Sequence, residues 1–229
     1  MKGLAALSKY LGCYDSWLQT RKRYNLKWTT GEESLQALHR YFDDSLSLDV
    51  MMAKVKEMIR LLGGIMGRIV KFAVLTGLRP GEVIESVKLL KSDCPNYPNY
   101  YYYNEKRQAL EHFRFPSVFL RKTKKAYISF VTVDMIIELV QGLDEVPSYT
   151  AIRQVCRKKG IYCNMSYCRR TFASWLAKEG ISDVTIDMLQ GRTAKSVLVQ
   201  HYLAPMADYR QRVLAAVDSL QREIEGKSK

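Results

Sequence analysis

Arg79 stands immediately before a proline, in the segment Thr76-Gly77-Leu78-Arg79-Pro80-Gly81-Glu82. Proline is well tolerated at the first position of a helix and biases the preceding residue to an extended conformation, so we expect Arg79 at a helix N-terminus. Backbone N–H groups and the helix dipole favour an anion there, and a guanidinium can bind two phosphate oxygens at once. Glu82, one turn further, is placed to orient the arginine. The segment predicts a phosphate-binding site, and a surface loop ending in a capped helix is the structural alternative.

Two later arginines are candidates for the same kind of contact. Arg169 opens a segment whose Phe172 would pack inward and hold the helix, and Arg170 beside it is the alternative anchor or a backbone-phosphate contact. Arg192 follows Gly191, which would also suit a C-capping glycine followed by a solvated arginine. These segments supply further cations that could bind a phosphate.

A basic turn and a late tyrosine complete the set of chemically interesting residues. Lys122, Lys124 and Lys125 lie between two β-branched and aromatic segments, which predict a hairpin with a basic tip. Tyr202 follows His201, and an unperturbed phenol has a pKa of about 10, so nearby cations would have to favour the phenolate. The tyrosine run 100–103 could stack on bases, but we favour a structural role for it.

The overall charge indicates a polyanionic partner. Thirty-six Lys and Arg against 23 Asp and Glu give a net charge of +13, and the pI is near 9.5. Nucleic acid is favoured over a membrane surface, because no apolar run approaches the roughly 18 residues that a spanning helix needs. The start of the sequence carries no signal-peptide pattern, so we expect a cytoplasmic protein. Five cysteines without a C-x-x-C pair indicate neither a disulfide framework nor a metal site, and no cofactor motif appears.

Hydrophobic periodicity and capping residues predict a mainly helical chain. A helix is expected from Leu4 to about Leu18, a second after Thr30, and a third capped by Ser47 and ended by the pair Gly63-Gly64. A buried helix follows up to Thr76. The remaining helices are bracketed by caps and glycines: Thr132 with Gly142, Ser148 with Gly160, Ser182 with Gly191, and Gly180 after the helix of Arg169.

The β-forming segments are few. Ser117 to Arg121 and Ala126 to Val131 form the predicted hairpin, and an irregular loop or edge strand is expected from Ser92 to Asn104. At the other end of the chain, an apolar stripe from Tyr209 to Ile224 predicts an amphipathic helix that must dock on another surface.

Taken together and in this order, TGLRPGE, the segment Arg-Arg-Thr-Phe-Ala and the late Tyr202 resemble the tyrosine recombinases, or phage-type integrases. The resemblance is closest to integrases of archaeal viruses and plasmids. It implies the recombinase catalytic-domain fold, which is mainly α with a small antiparallel β-sheet, an α+β class. It also implies that neither a metal nor a nucleotide cofactor is required.

The resemblance assigns roles to five residues. Tyr202 would attack a DNA phosphate and form a 3′-phosphotyrosyl intermediate, while Lys122, or Lys124 as the alternative, would protonate the departing 5′ oxygen. The pentacoordinate charge would be stabilised by three arginines: Arg79, Arg169 and Arg192. The implied function is integration or excision of a mobile element.

The chain departs from the family pattern at three positions. Ser166 stands where a histidine is usual and cannot act as a general base near neutral pH. Arg192 replaces the histidine of a Leu-Gly-His segment, keeping a donor to phosphate without proton transfer. The spacing to Tyr202 is one residue longer than usual, so His201 competes for its slot or assists proton transfer beside it.

The resemblance also predicts domains and partners. Residues 1–44 are expected to be the remnant of a helical DNA-clamping domain, 45–205 the catalytic domain and 206–229 a docking helix, in a shortened enzyme or a piece of a longer one. The expected partners are double-stranded DNA attachment sites and a homotetramer formed on DNA, in which the last helix is exchanged with a neighbouring protomer. A type IB topoisomerase and a catalytically impaired DNA-binding relic are the alternative functions.

Overall fold

The computed structural model describes residues 2–26, 47–92, 101–121, 124–161, 165–192 and 208–227. The chain divides into two compact units, Met1–Leu46 and Ser47–Lys229. In the first unit, helices α1 (Lys2–Tyr10) and α2 (Tyr14–Arg23) replace the single helix predicted from Leu4 to Leu18. That prediction was wrong because Gly12 adopts a left-handed conformation with φ 68°, which interrupts the helix. The helix predicted after Thr30 lies outside the described residues.

The second unit begins with three helices in close succession: α3 (Leu48–Leu62), α4 (Gly64–Thr76) and α5 (Pro80–Ser92). The Ser47 hydroxyl accepts a hydrogen bond from the Val50 N–H at 3.4 Å, which confirms the predicted cap. Gly63 separates α3 from α4, also as predicted. Helix α4 is buried throughout its second half and packs against α3, α5 and α9 (Ser166–Lys178), so it forms the centre of the core.

The β-structure consists of very short strands. Strands β1 (Tyr103–Asn104), β2 (Ala109–Leu110) and β5 (Ser129–Phe130) form an antiparallel sheet in the order β1-β2-β5. A separate pair joins β3 (Leu120–Arg121) to β4 (Lys124–Lys125), with Leu120 opposite Lys125. The sheet supplies one edge of the core rather than a layer.

The basic hairpin exists with different strands from those predicted. Residues Pro116–Phe119 form a helical turn, α6, with the proline near its N-terminus, so the strand expected from Ser117 begins only at Leu120. On the other side, Ser129–Phe130 pairs with β2 instead of β3. Tyr103 does lie in an edge strand, and both Tyr102 and Tyr103 are buried, which agrees with a structural role for that part of the tyrosine run.

The described residues of this unit form four further helices: α7 (Val133–Val140), α8 (Tyr149–Lys158), α10 (Asp183–Leu189) and α11 (Tyr209–Glu225). The predicted caps are confirmed, since the side chains of Thr132, Ser148 and Ser182 each accept a backbone hydrogen bond at the start of a helix. Helix α11 buries its apolar stripe against α4, α9 and β5 of its own unit. An ion pair of 2.6 Å between Lys71 and Glu225 fixes its last turn to α4.

The observed architecture is mainly helical with a small antiparallel sheet, which confirms the α+β class predicted from the sequence. Within the described ranges, no helix has the length and apolar character needed to cross a membrane.

A chain of buried hydrogen bonds ties α5 to the sheet. The Tyr102 hydroxyl lies 2.7 Å from Ser86 Oγ and 2.7 Å from His112 Nδ1, and His112 Nε2 lies 2.8 Å from Ser129 Oγ. All four side chains are buried. Because an imidazolium is poorly solvated there, burial lowers the pKa of His112 to about 3. His112 is therefore neutral in the folded protein at physiological pH.

We expect this histidine to make the protein lose stability as the pH falls below 6.5. The unfolded chain binds a proton at His112 near pH 6.5 and the folded chain only near pH 3, so unfolding takes up one proton between these values. The free energy of unfolding should fall by about 1.4 kcal/mol per pH unit from this residue. Urea denaturation of the wild type and of His112→Gln between pH 7 and pH 5 measures the difference, since most carboxylates stay ionised over that interval. Parallel pH curves for the two proteins would contradict the expectation.

Candidate functional site

Arg79 lies at the start of α5 and is held by Glu82. The Glu82 carboxylate accepts hydrogen bonds from the Arg79 backbone N–H at 3.0 Å and from Arg79 Nη1 at 2.9 Å. The Glu82 side chain is buried, whereas 20% of the Arg79 side chain stays exposed. The buried carboxylate therefore fixes the Arg79 guanidinium at the N-terminus of α5.

Arg169 connects the segments that carry the other two arginines. Its Nη1 donates to the Gly77 carbonyl oxygen at 2.5 Å, and its Nη2 donates to the Gln190 carbonyl oxygen at 3.0 Å. The Gln190 side chain returns a hydrogen bond of 2.7 Å from Nε2 to the Arg169 carbonyl. Gly77 lies two residues before Arg79, and Gln190 lies two residues before Arg192. One guanidinium thus fixes both arginine-bearing segments relative to α9.

The first turns of α9 hold Arg169 in place. Phe172 and Trp175 are buried on the core side of this helix, as expected for anchoring residues. Arg170, the neighbouring residue, is exposed. Arg169 therefore belongs to the interior side of the helix, and Arg170 is available only for contacts at the surface.

Arg192 follows the last turn of α10. Its backbone N–H donates to the Asp187 carbonyl at 2.7 Å, and its Nη1 forms an ion pair of 3.2 Å with Asp187 Oδ1. The side chain is 60% exposed, so it can move toward a bound anion at small cost. Its backbone position, in contrast, is fixed.

The charges of Arg79 and Arg192 act on Arg169. Burial and then the positive charges of Arg79 and Arg192 lower the pKa of Arg169 to about 10, against the opposing effect of Glu82. Arg169 is thus repelled by the charges of Arg79 and Arg192, and the buried Glu82 carboxylate only partly offsets this repulsion. An anion such as a phosphate would relieve this repulsion while accepting their hydrogen bonds.

The basic hairpin docks on the turn that precedes Arg192. The Lys125 N–H donates to the Gly191 carbonyl at 3.4 Å, and Gly191 has φ 68°. A Cβ at position 191 would overlap the Lys125 carbonyl group. Only glycine allows the two backbones to approach this closely, so the hairpin that carries Lys122 is joined to the Arg192 turn.

We expect Gly191→Ala to displace the hairpin and to reduce activity as well as stability. The left-handed conformation alone costs about 1–2 kcal/mol, and the overlap with the Lys125 carbonyl adds to it. Gly142→Ala is the matched control, because Gly142 has φ 64° and an added Cβ there would meet nothing within 4 Å. Thermal denaturation and a DNA cleavage assay on both variants measure the difference. Equal effects of the two substitutions would show that the hairpin contact is unimportant.

The other residues predicted for the site are placed less completely. Ser166 is the first residue of α9, and Lys124 lies in β4 opposite Arg121. Lys122, His201 and Tyr202 lie outside the described residues. The part of the chain that is described contains no group of three or more potential metal ligands.

Sequence reasoning missed the partners of the arginines. Gln190, Asp187 and the Gly77 carbonyl were not identified, although each contacts an arginine of the site. The available signal in the sequence was the position of Gln190, an amide side chain between the apolar Leu189 and the predicted capping residue Gly191.

Comparison with protein families gives one match. Residues 47–210 match the family described as archaeal phage integrase, which covers more than half of the chain and all three arginine segments. The chain therefore belongs to the archaeal phage integrase family. Searches of curated proteins and of solved structures returned no match. Membership implies a DNA substrate and a part in integration or recombination.

Proposed function

We propose that this protein is a tyrosine-type site-specific DNA recombinase. The observation that carries the proposal is the bridging of the Arg79 and Arg192 segments by the Arg169 guanidinium. Together with Glu82 it forms a preorganised cationic site suited to a phosphate group. Such a site stabilises charge that develops on a phosphate during attack, without reorganisation at the moment of reaction.

The proposed reaction is an in-line displacement at one DNA phosphate. The Tyr202 oxygen attacks phosphorus, a 3′-phosphotyrosyl bond forms, and the bond from phosphorus to the 5′ oxygen breaks. Lys122, or Lys124 as the alternative candidate, gives its proton to the departing 5′ oxygen. The three arginines bind the non-bridging oxygens, on which negative charge accumulates. The phosphodiester energy is retained in the tyrosyl ester, so a 5′ hydroxyl of a second strand can reverse the step and exchange strands.

Removal of the phenol proton is assigned to His201. Ser166, one helical turn before Arg169, cannot accept a proton near neutral pH. His201 is adjacent to Tyr202 in the sequence and has an imidazole that titrates near pH 6.5 when unperturbed. The phenolate is further favoured by the net positive charge of the arginine site.

The biological reaction we propose is integration or excision of a mobile element at attachment sites in double-stranded DNA, in the cytoplasm of the host cell. A homotetramer on DNA would carry it out, with residues 1–44 contributing to DNA clamping. Helix α11 packs on its own unit in the structure. The same apolar stripe could be buried on a neighbouring protomer in the assembled complex, because an identical surface is offered there.

A covalent trapping experiment tests the proposal. The wild-type protein is incubated with a pool of duplexes that have a random central sequence and a nick close to each possible cleavage position. A short fragment then diffuses away after cleavage, and the adduct accumulates. We expect an SDS-resistant adduct in which the protein is joined to a 3′ phosphate and a 5′ hydroxyl is released, and sequencing of the trapped DNA gives the attachment site. The absence of any adduct, or attachment to a 5′ phosphate, would contradict the mechanism.

A second assay separates recombination from the related relaxation activity. Two duplexes that carry the trapped attachment site are mixed, and exchange of their flanking arms is measured. Relaxation of a supercoiled plasmid without such exchange would assign the protein to topoisomerase-like chemistry instead.

A further inference from the structure

A buried carboxylate fixes two arginines on the side of the sheet at β1 and β2. Glu111 is buried and accepts hydrogen bonds from Arg107 Nη1 at 2.9 Å, Arg114 Nε at 2.5 Å and Asn104 Nδ2 at 2.9 Å. Burial alone would raise the pKa of Glu111, but these hydrogen bonds and the two arginine charges lower it below its ordinary value. The carboxylate is ionised at neutral pH and holds both guanidinium groups in defined positions.

Both arginines are partly exposed to solvent, and Arg114 lies against two aromatic rings. Their side chains are 57% exposed for Arg107 and 34% exposed for Arg114. The Arg114 guanidinium lies 5.0 Å from the Tyr101 ring centroid and 5.8 Å from that of Phe113. Both rings are exposed, at 58% and 42%. We call these four residues, Tyr101, Arg107, Phe113 and Arg114, the arginine–aromatic surface.

Three features of this surface favour the binding of a polyanion. An arginine has five N–H donors and Glu111 accepts one from each, so further donors remain for a ligand. Two arginines against one carboxylate leave an excess of one positive charge, and in the turn between β1 and β2 the exposed Lys106 is balanced by the exposed Glu105. The flanking rings restrict the Arg114 guanidinium, which reduces the entropy lost on binding.

A backbone hydrogen bond links this surface to the segment that follows the basic hairpin. The Phe113 N–H donates to the Tyr127 carbonyl at 3.2 Å, and Tyr127 lies two residues after Lys125 at the end of β4. The hairpin in turn contacts the Arg192 turn through Gly191. A backbone path therefore runs from the arginine site through the hairpin to the arginine–aromatic surface.

We propose that the arginine–aromatic surface binds the phosphate backbone of double-stranded DNA beside the cleavage site. The inference rests on the DNA substrate that the family implies, and it deepens the proposed function by assigning a second contact region. Contacts of this kind position a duplex and are independent of base sequence. A purely structural role, in which the arginines only neutralise Glu111, predicts no contribution to DNA affinity.

The test compares DNA affinity and its salt dependence among variants with matched charges. Arg107→Gln should weaken duplex binding about three- to tenfold and lower the slope of log Kd against log salt by about one. The double variant Glu111→Gln/Arg114→Gln leaves the net charge unchanged, and it avoids leaving a buried carboxylate without one of its partners. We expect the same loss from it. Arg157→Gln, which removes an exposed arginine in the last turn of α8, is the control and should leave the slope unchanged.

Three results would overturn the proposal. Unchanged affinity in both variants would show a structural role only, and an equal loss in Arg157→Gln would show that overall charge alone matters. A loss of affinity only for single-stranded DNA would show that the surface stacks bases on its exposed rings and does not bind the backbone of a duplex.

Chemical modification of the wild-type protein tests the same proposal without any variant, and so does not depend on whether the variants fold. Phenylglyoxal modifies accessible arginines, and mass spectrometry gives the rate at each residue with and without duplex. We expect DNA to protect Arg107 and Arg114 at least threefold and to leave Arg157 unprotected. Equal rates in the presence of saturating duplex would contradict the inference.

The binding result is separable from that of the proposed reaction. Variants of the arginine–aromatic surface should still form the covalent adduct at saturating protein concentration, because they leave the arginine site intact. If the wild type forms no adduct while the binding results hold, the proposed mechanism fails and the DNA-contact assignment stands.

Discussion

Tyr202→Phe should abolish the covalent adduct and leave DNA binding unchanged. Phenylalanine keeps the ring and removes the only atom that the proposed reaction joins to phosphorus, so the yield should fall by more than about 10³-fold, to the background of the assay. The measurement is adduct formation on the trapped attachment-site duplex, with affinity determined in parallel. Tyr209→Phe is the control. The Tyr209 ring centroid lies 6.0 Å from that of Phe130, and this packing does not need the hydroxyl, so adduct formation should be unchanged.

The assignment of Tyr202 as the nucleophile is contradicted if His201 takes that role. His201→Gln should slow adduct formation at neutral pH without abolishing it, and the rate should rise again at higher pH as the phenol ionises without help. An adduct that persists in Tyr202→Phe and disappears in His201→Gln would make His201 the nucleophile. Acid treatment distinguishes the two linkages independently, because a phosphorus–nitrogen bond is hydrolysed in acid and an aryl phosphate is not.

Arg169→Ala should lower the rate of adduct formation by about 10²–10³-fold at saturating DNA. Loss of one preorganised donor to a charged transition state has an effect of this size. The substitution also removes the two hydrogen bonds that fix the Gly77 and Gln190 carbonyls. The segments that carry Arg79 and Arg192 are then no longer held together by one side chain. Rapid-quench measurement of adduct formation at saturating duplex gives the rate directly.

The choice of controls separates charge from geometry. Arg169→Lys keeps the charge but offers a single ammonium, which cannot donate to two carbonyls from two nitrogens in a fixed plane, so little activity should return. Arg170→Ala removes the exposed neighbour and should weaken DNA affinity without changing the rate at saturation. A folded Arg169→Ala variant that retains the wild-type rate within about threefold would refute the central role of this residue.

Local features of the fold were predictable from the sequence because their causes are local. Ser47, Thr132, Ser148 and Ser182 each cap a helix through a residue three positions away, and capping residues are recognisable in a single sequence. The contact between Arg79 and Glu82 has the same range, and it was expected for the same reason.

Long-range features were not predictable in this way. The Arg169 hydrogen bonds reach residues 92 and 21 positions away, and no spacing rule connects them. Strands of two residues carry no alternating pattern, so the partners of β3 and β5 could not be assigned from hydrophobicity. Gly12 illustrates a related limit, since its backbone conformation interrupts a stripe that is typical of one continuous helix.

The bridge made by Arg169 has an evolutionary consequence. Its two acceptors are main-chain oxygen atoms, so the acceptor at position 190 does not depend on the side chain there. Position 77 is more restricted, because Gly77 has φ 61° and an added Cβ would overlap the Phe172 ring. The guanidinium has no such substitute, because no other side chain supplies paired coplanar donors. We therefore expect homologues to retain Arg169 together with the two glycines, Gly77 and Gly191, while position 190 is freer to vary.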